Sequence, residues 1–103
     1  RNTKVIDIVN ELMEYGVTPL VTDPIADPAE TERLYGIRFV ELEDIDDVDA
    51  LVVAVGHEEY KKLTVNKLKG LYKGNDNNRV ILDVKGILDK QKLTENGFKY
   101  WRL

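Results

Sequence analysis

The sequence predicts an α/β fold with three layers, in which helices cover both faces of a mostly parallel sheet. Candidate strands alternate with candidate helices along the whole chain, which is the order typical of this class. The two strongest strand candidates, residues 50–55 and 80–84, are unbroken apolar runs, as expected of parallel strands buried on both faces. With 103 residues, 43% hydrophobic and 33% charged, the chain fits one globular domain over residues 1–103.

Two helices are predicted in the first part of the chain. Residues 1–15 form the first, because apolar side chains recur there at the three-and-four spacing of one helical face. Gly16 follows at the position of a left-handed C-cap residue. The second helix covers residues 28–35, with Asp27 as its N-cap and Gly36 at its end.

The remaining elements complete the alternation. Residues 58–72 have a helical pattern that breaks near Thr64, and residues 41–49 are acidic and irregular or form one short helix. The other predicted elements are strands at 17–22, 37–40, 50–55 and 80–84, a helix at 87–95 and an aromatic-rich final strand at 98–103. A chain of this class normally opens on a strand, whereas this one opens on a helix. We therefore expect a domain that lacks its first, central strand through truncation.

Composition excludes several classes of function. The net charge is −4 and no basic block stands out, so binding to nucleic acid or to an anionic membrane has no electrostatic support. The chain contains no cysteine, which removes disulfides, thiolate metal sites and a thiol nucleophile. Its apolar runs are too short to span a membrane and its first residues lack a signal-peptide pattern. We expect a cytoplasmic domain.

Two acidic features are weak candidates for a site. Asp23 ends an apolar stretch, where a dinucleotide-binding fold places an acid on a ribose hydroxyl. That role needs a glycine-rich turn upstream, and the sequence contains no GxGxxG. A turn residue before Pro24 is therefore the favoured interpretation of Asp23. The acidic stretch 44–49 lacks the glycine and glutamate of a calcium loop, so we predict a solvated loop and no metal site.

The better candidates for ligand contact follow the two apolar strands. His57 comes after residues 50–55, and Lys85 comes directly after residues 80–84. Open α/β sheets bind ligands at the carboxyl ends of their strands, and the mobile charge of a lysine suits a phosphate. A single histidine without a serine, cysteine or metal partner is not a catalytic site. The alternative for His57 is an ordinary position at a helix start.

Six segments occur in an order and at spacings that are similar to those of a known family. They are RNTKVIDIVNEL, GVTPLVTDP, YGIRF, DALVVAVGHEEY, VILDVKGILDK and the terminal YWRL. Together they resemble the C-terminal, UDP-binding domain of the UDP-glucose/GDP-mannose dehydrogenase family, and especially that of the bacterial and archaeal UDP-N-acetylhexosamine 6-dehydrogenases. The resemblance covers essentially the whole chain and implies a Rossmann-like domain.

The resemblance further implies that this chain is a fragment of a larger, homo-oligomeric enzyme. Such enzymes oxidise the C6 alcohol of a UDP-sugar to a carboxylate for polysaccharide biosynthesis, and NAD accepts the hydrides. An N-terminal domain of the same polypeptide binds the NAD, and the catalytic cysteine also belongs to the other parts, in agreement with a chain that has no cysteine. The resemblance therefore implies no catalytic residue and no bound cofactor in this fragment, which should be inactive alone.

The same resemblance implies that Arg1 contacts the UDP-sugar, because Arg1 matches an arginine of the family that reaches this substrate. A guanidinium forks onto phosphate or ribose oxygens, which is consistent with such a role. Lys85 and His57 are further candidates for substrate binding. The rival hypothesis is a non-catalytic Rossmann-like module for binding or oligomerisation. Separate titrations with UDP and with NAD distinguish the two hypotheses.

Overall fold

A computed structural model describes residues 3–24, 27–36, 38–74 and 78–102. The chain divides into two compact units, Arg1–Asp44 and Ile45–Leu103. The helices are α1 (Thr3–Glu14), α2 (Pro28–Tyr35), α3 (Glu58–Lys61), α4 (Val65–Lys69) and α5 (Lys90–Glu95), and the strands are β1 (Ala50–Val53), β2 (Arg79–Asp83) and β3 (Phe98–Arg102). None of the described helices is both long enough and apolar enough to cross a membrane.

The first unit contains both predicted helices, and the start of the first one, predicted at residue 1, lies outside the described residues. After α1, Gly16 adopts a left-handed φ of 84°. Its amide donates to the Met13 carbonyl at 3.0 Å, and the Val17 amide donates to the Leu12 carbonyl at 3.0 Å. These two bonds close the helix in a Schellman motif. They confirm Gly16 as the residue that ends α1.

Helix α2 begins and ends as the sequence predicts. The Asp27 carboxylate accepts from the amides of Ala29 at 3.0 Å and Glu30 at 3.3 Å, which satisfies two of the donors that a helix start leaves open. Gly36 closes the helix with a φ of 66°, and its amide donates to the Glu32 carbonyl. Both predicted caps are confirmed.

The two strands predicted at 17–22 and 37–40 reduce to one parallel bridge between Val21 and Phe39. The Val21 amide donates to the Arg38 carbonyl at 3.1 Å, and the Val40 amide donates to the Val21 carbonyl at 2.9 Å. Pro19 has no amide to donate, so it cannot add a bond to the ladder on the amino side of Val21. The prediction of two full strands is wrong for the described residues. Residues 42–44 form one 3-10 turn.

The second unit contains a three-stranded parallel sheet in the order β1-β2-β3. The predicted alternation and the parallel pairing are therefore confirmed. In the register, Val52 lies beside Leu82, and Leu82 lies beside Trp101. Strand β1 ends at Val53 instead of residue 55, and β2 covers Arg79–Asp83 instead of residues 80–84.

The helical stretch predicted at 58–72 forms two short helices with the expected break at Thr64. The Thr64 hydroxyl accepts from the Lys67 amide at 3.1 Å and so begins α4. The helix predicted to begin at residue 87 begins at Lys90, where Asp89 is its N-cap. The amides of residues 86–88 donate to the Asp83 carboxylate.

The core of the second unit lies on one face of its sheet. Ile81, in the central strand, is fully buried. The Tyr72 ring meets the Phe98 ring edge-on at 5.9 Å, and the Tyr72 hydroxyl donates to the Val80 carbonyl at 2.6 Å. The other buried apolar side chains of this unit are Ile45, Leu68, Leu71, Leu88 and Leu93.

The opposite face of this sheet is exposed at both edges, because Val52 is 40% and Trp101 is 62% accessible to solvent. The prediction that strand 50–55 is covered on both faces is therefore wrong for the described residues. The consecutive strand order explains the exposure. Both crossovers run in the same direction along the sheet, and right-handed crossovers of that kind lie on the same face.

Candidate functional site

The carboxyl ends of β1 and β2 lie side by side at one end of the sheet, where each strand continues into a loop. We call this end of the sheet the carboxyl edge. The Val84 amide donates to the Val53 carbonyl at 2.9 Å. A Cβ atom placed on Gly56 would lie 3.4 Å from Cγ2 of Ile87, so the two loops lie close together. Residues 54–57 and 84–88 therefore form one continuous surface at this edge, which is where open α/β sheets bind their ligands.

A buried carboxylate organises the second of these loops. Asp83 is the last residue of β2 and is fully buried. Its Oδ1 accepts from the amides of Gly86 at 2.9 Å and Ile87 at 3.2 Å, and its Oδ2 accepts from the Leu88 amide at 2.9 Å. A buried charge of this kind is tolerated only when hydrogen bonds satisfy it. The loop supplies these hydrogen bonds from three consecutive backbone amides, those of residues 86–88.

Two side chains of β3 complete a ring around this loop. The Tyr100 hydroxyl donates to Oδ2 of Asp83 at 2.6 Å and accepts from Nε of Arg102 at 2.8 Å. Nη2 of Arg102 then donates to the Leu88 carbonyl at 3.0 Å. These hydrogen bonds form a closed ring of four residues, Asp83, Tyr100, Arg102 and Leu88. The side chains of Asp83, Tyr100 and Arg102 are called the loop clamp.

The hydrogen bonds of the loop clamp also set the charge state of its members. Burial acts to raise the pKa of Asp83, but the bonds from Tyr100 and from the amides of residues 86–88 outweigh it, and the pKa lies below the ordinary 3.8. Burial and the bond to Asp83 raise the pKa of Tyr100. At neutral pH the carboxylate is therefore ionised and the phenol is its donor.

Gly86 gives the loop the space that Arg102 occupies. Its φ is 68°, and a Cβ atom there would lie 3.0 Å from Nε and 3.2 Å from Cδ of Arg102. Real Cβ atoms rarely come this close to a neighbour, and an L-residue is disfavoured at this φ in any case. Glycine is therefore required both by the backbone and by the clamp.

We expect Gly86→Ala to be more destabilising than Gly74→Ala. Gly74 has a nearly equal φ of 71°, but a Cβ atom there would meet no atom of the described residues within 4 Å. It therefore isolates the cost of the backbone conformation, about 1 kcal/mol. Gly86→Ala should cost up to about 1 kcal/mol more, because Arg102 must shift by a few tenths of an ångström, which weakens its hydrogen bonds. Urea unfolding of the two variants measures the difference, and equal losses would contradict the steric role of Arg102.

The structure places two of the predicted substrate-binding residues at this edge. Lys85 is exposed on the clamped loop. His57 is half-buried at the N-cap position of α3, where its side chain makes no capping bond, and its ring meets Tyr60 edge-on at 5.8 Å. Arg1 lies outside the described residues.

The acidic candidates belong to other segments of the chain. Asp23 follows the bridge residue Val21 in the first unit. The acidic side chains of 44–49 are exposed, which confirms a solvated loop. Among the described residues, no group of three or more potential ligands is arranged to hold a metal ion.

Sequence reasoning missed the loop clamp. A local signal existed for one member, because Asp83 ends an apolar run and a glycine follows three residues later, a pattern in which an acid can accept from the next amides. No local signal links Asp83 to Tyr100, which lies 17 positions further along the chain. That contact depends on the pairing of β2 with β3.

A cavity of about 200 Å³ lies next to the loop. Its lining is mainly apolar side chains with two lysines, namely Lys61, Leu63, Val65, Leu68, Ile87, Leu88, Asp89, Lys92 and Leu93. Neither Lys85 nor His57 lines it. The candidate site is therefore the open edge of the sheet and not this cavity.

A three-stranded parallel sheet whose strands are connected through helices defines an α/β domain of the Rossmann-like class. Residues 1–90 match the family model described as UDP-glucose/GDP-mannose dehydrogenase family, UDP binding domain. The chain therefore belongs to the UDP-glucose/GDP-mannose dehydrogenase family, as its UDP-binding domain.

Curated proteins show the same relationship. The chain is 34% identical to Protein CapL of Staphylococcus aureus, over all of this chain and 23% of that protein. It is 36% identical to the UDP-N-acetyl-D-glucosamine 6-dehydrogenases of Salmonella typhi and Pseudomonas aeruginosa, over 89% of this chain and 21% of each enzyme. The chain thus spans less than a quarter of the length of these relatives. No solved structure matches it significantly.

Proposed function

We propose that this domain holds the UDP part of a UDP-sugar at the carboxyl edge of β1 and β2, with Lys85 as its phosphate contact. The observation that carries the proposal is the geometry of the loop. Asp83 occupies the amides of residues 86–88, so those amides are not donors for a phosphate. Lys85, which is exposed beside them, supplies the positive charge instead.

His57 and Arg1 are the other proposed contacts. His57 is the N-cap residue of α3 and directly follows Gly56, which lies close to Ile87, and its ring can donate to a ribose or phosphate oxygen. Arg1 is proposed from the family resemblance alone. Catalytic residues are not proposed for this chain, because the described edge offers no nucleophile with an adjacent base.

The residues present do not fit NAD. The sequence has no GxGxxG, the glycine-rich turn on which a dinucleotide-binding fold holds the pyrophosphate of NAD. We therefore assign NAD, as hydride acceptor, to another domain of the complete enzyme. No step of the oxidation is assigned to this chain.

For the complete enzyme, we propose an NAD-dependent UDP-sugar 6-dehydrogenase that converts the sugar C6 alcohol to a carboxylate for polysaccharide biosynthesis. The relatives named UDP-N-acetyl-D-glucosamine 6-dehydrogenase support this activity and favour an N-acetylhexosamine as the sugar. Homo-oligomerisation and a cytoplasmic location stay predictions.

NMR titrations of the isotopically labelled protein test the proposal. UDP should shift the amide signals of residues 84–88 and of His57, whereas NAD at the same concentration should leave them in place. A response to neither nucleotide would instead favour a module for oligomerisation. Equal responses to both would contradict selectivity for UDP.

Lys85→Gln should weaken UDP binding by about 5- to 10-fold, since one charge-assisted contact to a phosphate is lost. Lys99→Gln is the matched control, because Lys99 is also exposed but lies near the start of β3, beside Val80. The dissociation constants from the titrations measure both effects. Equal losses in the two variants would indicate only a nonspecific charge effect.

A further inference from the structure

We propose that the loop clamp of Asp83, Tyr100 and Arg102 is a positioning device that presents Lys85 to the nucleotide phosphate. The inference rests on the proposed function and adds three residues to it, of which Tyr100 and Arg102 are remote in sequence from Lys85. In this view the clamp residues do not touch the ligand. They fix the backbone on which the ligand-binding lysine stands.

The contacts of Leu88 show that the loop is held from two sides. Its amide donates to Asp83, and its carbonyl accepts from Arg102. Asp83 and Arg102 are in turn joined through the Tyr100 hydroxyl. Both polar groups of one loop residue are therefore fixed by a single connected network, which limits the rotation of the backbone around it.

Gly86 shows that the loop and the arginine are fitted to each other. The Arg102 side chain lies against the space where a Cβ atom of Gly86 would be, with Nε only 3.0 Å away. Its guanidinium carbon also lies 5.4 Å from the centre of the Tyr100 ring, within the range of a cation–π interaction. Arg102 thus lies against Gly86, the residue immediately after Lys85. It is held by the Tyr100 hydroxyl, the Tyr100 ring and the Leu88 carbonyl.

Preorganisation explains what this arrangement contributes to binding. A loop that must be ordered by its ligand binds it more weakly, because part of the interaction energy is consumed in ordering the chain. Here the ordering is already completed by a buried carboxylate and by the two side chains of β3. Lys85 itself stays exposed and needs only to order its own side chain.

Tyr100→Phe is the first variant to test, because it removes one hydroxyl and keeps the ring. We expect the amides of residues 86–88 to exchange with solvent about 5- to 10-fold faster, and UDP to bind about 5-fold more weakly. The Ile81 amide should keep its protection relative to global unfolding, which shows that the fold persists. Tyr15→Phe, at an exposed tyrosine of the first unit, is the matched control and should change neither quantity.

Arg102→Lys is the second variant. A lysine keeps the charge but cannot bridge the Tyr100 hydroxyl and the Leu88 carbonyl with the fixed fork of a guanidinium. We expect the same two changes as for Tyr100→Phe. A normal UDP affinity in both variants would overturn the positioning role, even if the loop amides exchange faster.

A double variant separates positioning from general stability. If the clamp acts through Lys85, Tyr100→Phe should weaken UDP binding no further once Lys85→Gln is present. Additive losses would overturn the proposal, since they would mean that Tyr100 acts on UDP by another route. Failure of the unmodified protein to bind UDP would instead count against the proposed function, and unchanged loop exchange in Tyr100→Phe would still count separately against the clamp.

Discussion

Ile81→Ala should lower the free energy of unfolding by about 3–4 kcal/mol. Ile81 is fully buried in the central strand β2, and its truncation loses apolar burial and leaves a cavity that the surrounding core fills only partly. A chain of 103 residues is marginally stable, with a total of about 5–15 kcal/mol. The variant is therefore expected to lose a large share of its stability.

Val52→Ala is the control for this substitution. Val52 is also a β-branched residue of the same sheet, but it is 40% exposed on the opposite face, and we expect its loss to cost less than about 1 kcal/mol. Urea unfolding followed by far-UV circular dichroism measures both. Similar losses would show that the exposed face contributes as much stability as the core, contrary to the packing described above.

Asp83→Asn should cost about 3 kcal/mol. The four groups around the carboxylate are all donors, namely the amides of residues 86–88 and the Tyr100 hydroxyl. An asparagine keeps one acceptor oxygen but turns an NH₂ group toward at least one of these donors, which is then buried without a partner. Asp46→Asn, at an exposed acid, is the matched control and should be nearly neutral.

The effect of Asp83 should depend on pH in a defined direction. Its pKa in the folded protein is below 3.8, so the ionised carboxylate stabilises the fold fully above 3.8, and this contribution disappears as the pH falls through the lower folded value. The stability difference between the unmodified protein and Asp83→Asn should therefore shrink in acid. Unfolding free energies measured across the acid range check this, and a difference that grows in acid would contradict it.

Local signals account for the parts of the fold that the sequence predicts well. Asp27, Gly36 and Thr64 act on backbone groups within a few positions, so their effects can be read from short stretches. The parallel order of β1, β2 and β3 also follows from the spacing of apolar runs around helical segments. The strands at 17–22 and 37–40 fail because pairing depends on partners outside any local pattern.

In the candidate site, too, some residues can be predicted from the local sequence and others cannot. Lys85 and His57 can be predicted because each follows an apolar strand, and topology brings the carboxyl ends of such strands together. The loop clamp cannot be predicted from the sequence, because the Asp83–Tyr100 hydrogen bond joins two strands whose register is set only in the folded sheet. Helix α5 starts late because its N-cap is Asp89, whose carboxylate accepts from the Lys92 amide at 3.1 Å.

Trp101, the only tryptophan of the chain, lies between the two clamp residues of β3 and is 62% exposed. Its indole is therefore a natural fluorophore on the exposed face of the sheet, away from the core around Ile81. Emission from the folded protein should already lie at the long wavelengths of a hydrated indole, so global unfolding should change its colour little. Changes in its intensity should report instead on whatever covers the exposed face of the sheet, because neighbouring side chains of a strand point to opposite faces and the clamp residues Tyr100 and Arg102 lie on the other one.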